Sequence, residues 1–187
     1  WMRAGADFAY GFSDKKFRPK AHITYKWDNL SRPILRISAG VTTPQFNAKN
    51  PISSFWNSIS SIYFERNYMK IYEKTFANVS FSKELFNGFR MNSSLEFANR
   101  KPLVNTTNYR SRDVKEVNYT SNDPQDPTNF LPSFTAHKIW TFQVGASIRF
   151  GQKYLSYPDR KSNVNNSAYP SVYIGYKKLF GANDSQK

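Results

Sequence analysis

The strongest constraint on this chain is an apolar–polar alternation of period two, sustained over stretches of about nine to twelve residues. Successive side chains of a β-strand point to opposite faces, so this pattern describes strands with one greasy and one polar side. Over 139–150, Trp140, Phe142, Val144, Ala146, Ile148 and Phe150 fall on one face. Thr141, Gln143, Gly145, Ser147 and Arg149 fall on the other. The same reading predicts strands over 2–12, 21–27, 35–41, 69–82, 89–100 and 171–179. Asn87-Gly88, between the fourth and fifth of the seven strands, is the strongest short hairpin signal.

Strand length narrows the class. A tilted strand needs about 9–11 residues to cross a bilayer, whereas strands of soluble proteins usually have about 5–6. The connections add to this. Those after strands two and four are short (Asp28 to Pro33, and Asn87-Gly88), while those after strands three and five, over 45–66 and 101–137, are long. Short turns on the periplasmic side and long loops outside are the bacterial barrel pattern. A short helix is expected over 53–62. The long connection over 151–169 departs from the pattern.

Aromatics make up 17% of the chain and mean hydropathy is −0.67. No apolar run approaches the ~20 residues of a spanning helix. The expected fold is all-β: an antiparallel up-and-down transmembrane β-barrel, with about seven strands in this chain. Seven is odd and the tail over 181–187 is polar, so residues 1–187 are expected to be part of one outer-membrane barrel domain, a fragment of a longer chain.

Lipid cannot hydrogen-bond, so the outward face of such a barrel is apolar. The alternation assigns Tyr25, Trp27, Phe89, Leu95, Phe97, Trp140, Phe142, Val144, Ile148 and Phe150 to lipid. It assigns Arg3, Asp7, His22, Lys26, Arg36, Arg90, Glu96, Arg100 and Arg149 to an enclosed lumen. There, Glu96 and Arg100 are expected to form ion pairs with Arg36, Arg90 or Arg149.

The net charge of +14 suggests an acidic partner. Outer-membrane lipid and lipopolysaccharide fit, with other outer-membrane or periplasmic proteins as further partners. Nucleic acid does not fit. Stacking platforms interleave aromatics with basic residues on one face, and here the aromatics share a face with Val, Ile, Ala and Leu. A soluble basic β-sandwich binding acidic partners is the main alternative, because it also alternates.

Chemistry is sparse. With no cysteine, disulfides, thiolate metal sites and cysteine nucleophiles are excluded. A lipid-cleaving barrel would need a histidine base, and only His22 and His137 exist. Residues 122–126 offer oxygen ligands without EF-hand spacing and read as a Pro/Asp turn. No reaction, catalytic residue, metal or cofactor is assigned.

Several segments carry a resemblance. They are Glu65-Arg66-Asn67-Tyr68-Met69-Lys70-Ile71-Tyr72-Glu73-Lys74, then Arg100-Lys101-Pro102-Leu103-Val104-Asn105-Thr106-Thr107 followed by Tyr119-Thr120-Ser121-Asn122-Asp123-Pro124. The third is Ile148-Arg149-Phe150-Gly151-Gln152-Lys153-Tyr154, continuing to Pro158-Asp159-Arg160-Lys161. Over about 11–175 the chain resembles an uncharacterised family of Bacteroidota outer-membrane proteins. In that family a carboxypeptidase-regulatory-like β-sandwich precedes a large domain ending in a β-barrel. The resemblance implies an outer-membrane location, a place late in the barrel, and a role in transport or in the assembly or export of surface components. A TonB-dependent-receptor-like barrel segment is a further alternative, although no plug-domain pattern is seen.

Overall fold

A computed structural model describes residues 1–47, 49–106, 109, 111, 119–164 and 169–182. Six long strands come first: β1 (Met2–Gly11), β2 (Lys16–Lys26), β3 (Ile34–Thr42), β4 (Tyr72–Phe86), β5 (Phe89–Pro102) and β6 (His137–Arg149). A small hairpin of β7 (Tyr154–Ser156) and β8 (Lys161–Asn163) precedes the last long strand, β9 (Ser171–Ala182). One helix, α1 (Ser54–Phe64), lies between β3 and β4.

The seven long strands make one antiparallel meander, in the order β1-β2-β3-β4-β5-β6-β9. The all-β, up-and-down expectation holds. The sheet is open: among the described residues β1 pairs only with β2 and β9 only with β6. These strands therefore do not close into a barrel by themselves.

At mid-sheet, register keeps each face uniform from β1 to β6, and on β9 the apolar row ends at Lys178, opposite Phe142. One row runs Ala4, Ile23, Ile37, Val79, Leu95, Phe142. Its neighbour on the other face runs Arg3, Thr24, Arg36, Ser80, Ser94, Gln143. A slip of one residue would exchange the two sets.

β4 runs Tyr72–Phe86 rather than over 69–82, and two further differences stand out. β2 begins at Lys16 rather than at 21, because Phe17, Arg18 and Pro19 all pair with β1. Pro19 has no ladder partner on β3, so its missing N–H is harmless there. Gly40 makes this possible. Its φ is +154°, and a Cβ would meet the Lys20 Cα and the Pro19 carbonyl oxygen, both at 2.5 Å. The second difference is the β7–β8 hairpin inside the connection read as irregular. Tyr157-Pro158-Asp159-Arg160 closes it, with the Tyr157 N–H donating to the Arg160 carbonyl at 2.8 Å.

Neither face has a conventional core. Ala98 is the one hydrophobic residue classed as buried among those described. The chain exposes 13480 Å², whereas a compact monomer of 21.7 kDa would expose about 9,200 Å². No described element lies over the apolar face as a second sheet, which is what the sandwich alternative requires.

The β2–β3 turn is held by Asp28, whose carboxylate accepts from the Leu30 N–H at 2.9 Å and the Ser31 N–H at 2.8 Å. The Ser31 hydroxyl donates to it as well. That hydroxyl first, then the backbone donors, lower the Asp28 pKa to about 2. A depressed carboxylate stabilises the fold above its unfolded value of about 3.9 and loses that contribution as pH falls through the folded value. The difference in unfolding midpoint between wild type and Asp28→Ala is therefore expected to stay constant above about pH 4 and to shrink toward pH 2. A difference that is flat down to pH 2 would remove the charge from the account.

Candidate functional site

The polar face gathers the charged residues. All nine residues assigned to a lumen from sequence share it by register. Cations dominate: the row holding Arg3, Arg36 and Lys177 contains no carboxylate. Asp7 pairs with Lys20 across β1–β2 at 3.1 Å. His22 lies against Gly5, where a Cβ would come within 2.7 Å of the ring. Tyr173 is placed the same way over Gly145 and Gly175. These glycines let large polar-face side chains lie flat on the sheet.

The expected ion-pair partners are corrected. Glu96 pairs with Lys74 at 2.7 Å, not with Arg36, Arg90 or Arg149. Arg90 lies six residues along the same strand, about 20 Å at 3.3 Å per residue. Arg149 is farther still, and Arg36 is two strands away. Lys74 leans along the sheet over the Phe76 ring, 5.2 Å from its centroid, to reach Glu96. Arg149 instead donates to Ser171 at 3.0 Å and Gln152 at 3.3 Å. Arg100 stacks over Tyr72 at 5.6 Å.

The two ends of the sheet differ. At one end, the described parts of 43–71, which include α1, and of 103–136 fold together. Asn122 staples them: its side chain accepts from the Ile71 N–H at 3.0 Å and donates to the Leu103 carbonyl at 2.7 Å. The Tyr119 hydroxyl donates to the Ser61 carbonyl of α1 at 2.6 Å. Lys70 donates to the Thr120 hydroxyl at 2.7 Å, and burial lowers its ammonium pKa. Beneath these segments, Glu73 meets both Lys16 and Arg18 at 3.4 Å. Alternation placed Glu73 among apolar residues, so this ion cluster explains the exception. Arg18 also binds Asp14, and that hydrogen bond is the main reason the Asp14 carboxyl pKa is lowered.

Two cavities open among these groups. The larger, about 1160 Å³, lies between α1, the β1–β2 turn and residues 102–106. The smaller, about 320 Å³, is lined by Phe46, Tyr72, Arg100, Asp123, Phe134 and His137, among others. The register keeps His22 and His137 apart. His137 contacts the Thr135 carbonyl at 3.1 Å. Asp123 and Asp126 use their carboxylates within their own loop, accepting from the Gln125 and Thr128 N–H groups at 2.9 Å each. Of the loop expected over 101–137, residues 107, 108, 110 and 112–118 lie outside the described set.

At the opposite end the β7–β8 hairpin ties the turns together. The Tyr154 hydroxyl accepts from the Gly88 N–H at 2.9 Å and donates to Glu84. Burial, then the Glu84 contact, raises the Tyr154 phenol pKa. Arg32 in the β2–β3 turn donates to Asn163 at 2.8 Å.

The other face is mainly apolar and uncovered: Ile23 is 50% exposed, Leu95 44% and Phe142 37%; Lys178 of β9 lies on it opposite Phe142. The ten residues assigned to lipid from sequence continue this face, with Trp27 and Phe150 just past their strand ends. Their aromatics form bands. Phe8 stacks on Phe17 at 5.8 Å, and Phe97 meets Trp140 at 4.9 Å, toward the loop-covered end. Tyr25, Trp27 and Phe81 stack in series at 5.6 and 6.0 Å toward the other end. Phe86 and Phe89 stack at 4.6 Å there too. Alanine, isoleucine, valine and leucine predominate between, with Ser93, Phe142 and Lys178 among them.

Fold and surface together define an antiparallel β-meander with one uncovered apolar face and one basic polar face. The chain belongs to a family of unknown function, as the C-terminal domain of that family (DUF5686), which it matches over residues 1–187. No curated protein matches it. No solved structure matches it either.

Proposed function

We propose that this domain is part of the wall of a bacterial outer-membrane β-barrel serving transport, or the assembly or export of surface components. The apolar face meets lipid acyl chains, and the basic polar face lines a lumen completed by further strands beyond β1 and β9. The loop-covered end faces outward and the β7–β8 end faces the periplasm. The barrel would sit in a Bacteroidota outer membrane, behind a carboxypeptidase-regulatory-like domain. Lipopolysaccharide and anionic head groups are the acidic partners that suit its charge.

One observation carries this reading: a seven-stranded sheet leaves its apolar face uncovered, with aromatic bands toward both ends and mainly aliphatic residues between, Lys178 on the edge strand β9 being the charged exception at mid-height. Phe17 and Tyr25 are eight residues apart on β2, as are Phe89 and Phe97 on β5. At 3.3 Å per residue that is about 26 Å along the strand, or roughly 20 Å along the normal at a 40° tilt. Barrels present an apolar band about 25 Å tall between aromatic girdles. The two open edges also need partners, because lipid satisfies no backbone N–H.

Residues 1–187 contain no cysteine, so once any cysteine elsewhere in the protein is replaced, single cysteines introduced here give a clean test. Single cysteines are placed at Val79, Leu95 and Phe142, and at their neighbours Ser80, Ser94 and Gln143, in the full-length protein in native membranes. A membrane-impermeant maleimide, applied after the vesicles are opened, should label the second set. It should label the first set only after detergent is added. Release of the protein by alkaline carbonate, or equal labelling of both sets, would overturn the proposal.

A further inference from the structure

We infer that the smaller cavity at the loop-covered end binds a small monocarboxylate carrying an aromatic or other apolar body. Three buried side-chain polar atoms among the described residues lack a hydrogen-bond partner: the Nε atoms of Arg18 and Arg100, and the Ser133 hydroxyl. Two of them, Arg100 and Ser133, line this one cavity. Buried donors without acceptors are uncommon in folded proteins and mark places where a partner is expected.

The chemistry of the partner follows from the walls. Arg100 brings a planar cation, its guanidinium carbon 5.6 Å from the centre of the Tyr72 ring. A guanidinium fork matches a carboxylate with two parallel hydrogen bonds. Ser133 adds a hydroxyl donor. The remaining surface is aromatic: Phe46 packs on Tyr72 at 5.3 Å and on Phe134 at 5.8 Å, and Phe134 on His137 at 5.4 Å. Such walls favour a ring or an alkyl chain over a bare inorganic anion. Asp123 also lines the cavity. Its carboxylate is committed to Gln125 and to the Asn129 amide, at 2.9 and 3.3 Å. It leaves Arg100 as the unpaired charge and disfavours a dianion such as phosphate. The volume, about 320 Å³, lies at the small end of the ~300–1,000 Å³ range of ligand sites.

The parts come from four places in the chain: 46, 72, 100 and 123–137. β4, β5 and β6 bring Tyr72, Arg100 and His137 to one level, with Arg100 directly opposite His137. The loop over 119–136 then closes above them. That the cavity faces outward depends on the barrel reading. That it binds a carboxylate does not.

The test uses the full-length protein held in amphipol, with binding followed by calorimetry. The probes are 3-phenylpropionate, its neutral amide, and inorganic phosphate. Saturable binding of the acid is expected, at least tenfold tighter than the amide or phosphate. Arg100→Gln should weaken the acid tenfold or more while leaving the amide unchanged, and Ser133→Ala should weaken it severalfold. Comparing acid with amide on the unsubstituted protein decides the matter without a variant, should Arg100→Gln fail to fold. Equal binding of acid and amide, preference for phosphate, or no saturable binding would each overturn the inference. The cysteine-labelling pattern above stands or falls separately.

Discussion

Replacing Ala21 with arginine is expected to destabilise the folded protein in a lipid bilayer by about 2–4 kcal/mol, the cost of a cation at the midplane of a barrel's lipid face. Ala21 lies on β2 midway between Phe17 and Tyr25, in a cross-strand row with Ala6, Ala39 and Ala77. That row offers an arginine no carboxylate. It is also far enough from either aromatic band that the side chain reaches head groups only by stretching. Alanine is a useful starting point because its removal leaves no cavity. Two controls isolate the charge. Ala21→Leu should be neutral or slightly stabilising in lipid, and Asn78→Arg, on the polar face between Ser38 and Glu96, should change stability by less than about 0.5 kcal/mol. The measurement is reversible urea unfolding from phosphatidylcholine vesicles. In a water-soluble sheet Ala21 is simply an exposed methyl, and its replacement by arginine would be nearly silent. A silent Ala21→Arg in vesicles would therefore remove lipid from the apolar face.

Much of the sheet could be read from sequence because burial in a sheet has a period of two and little else does. Trp140 to Ile148 alternates without a break and Phe89 to Phe97 with only Ser93 out of place, and both strands lie where the alternation puts them. What failed depended on pairing rather than on pattern. Arg18 and Pro19 look like part of a turn, yet β1 recruits them because Gly40 lets the β2 backbone pass close. Tyr157-Pro158-Asp159-Arg160 is a turn signal of the kind that pairs short strands; it went unread because Tyr154 to Ser156 is too short to show a period. Glu96 was assigned to the right face but the wrong partner, since the reach of a lysine along the sheet is a matter of register and side-chain length. The smaller cavity was the least legible part. Of its polar groups Arg100, Asp123 and His137 stand out in the sequence, but as a lumen cation, a turn carboxylate and a lone histidine, with nothing to place them in one site. Phe46, Tyr72, Ser133 and Phe134 are separated by connections that no periodic signal describes. Ring-rich loop segments flanking a strand-end arginine are the one hint the sequence carried.

The second large effect is expected at the β4–β5 turn, where Gly88→Ala should cost about 2–4 kcal/mol. Gly88 has a φ of +80°, whereas Asn87 is not among the residues with positive φ. The turn is therefore not the double left-handed type that Asn-Gly suggests. It carries a single left-handed glycine beside a register shift between Glu84 and Phe86, as in turns that end in a bulge. A side chain in that backbone region costs of order 1–3 kcal/mol. Sterics add to it: a Cβ on Gly88 would stand 2.3 Å from the Arg149 carbonyl oxygen, a main-chain atom that cannot swing away. The same residue is a junction. Its carbonyl accepts from the Arg149 N–H at 2.9 Å, and its N–H donates to Tyr154 at 2.9 Å. Displacing it thus pulls at the end of β6 and at the β7–β8 hairpin together. Asn87→Ala, one residue earlier, should cost less than about 1 kcal/mol because it leaves the left-handed position alone. Urea unfolding of the three proteins checks this, together with the rate at which a protease cuts between 150 and 170. Gly88→Ala should unfold earlier and be cut faster, since the hairpin loses its hold on the turn. If Gly88→Ala matched Asn87→Ala in both measurements, the close approach of these backbones would be disproved, and with it the idea that the β7–β8 hairpin clamps the turn.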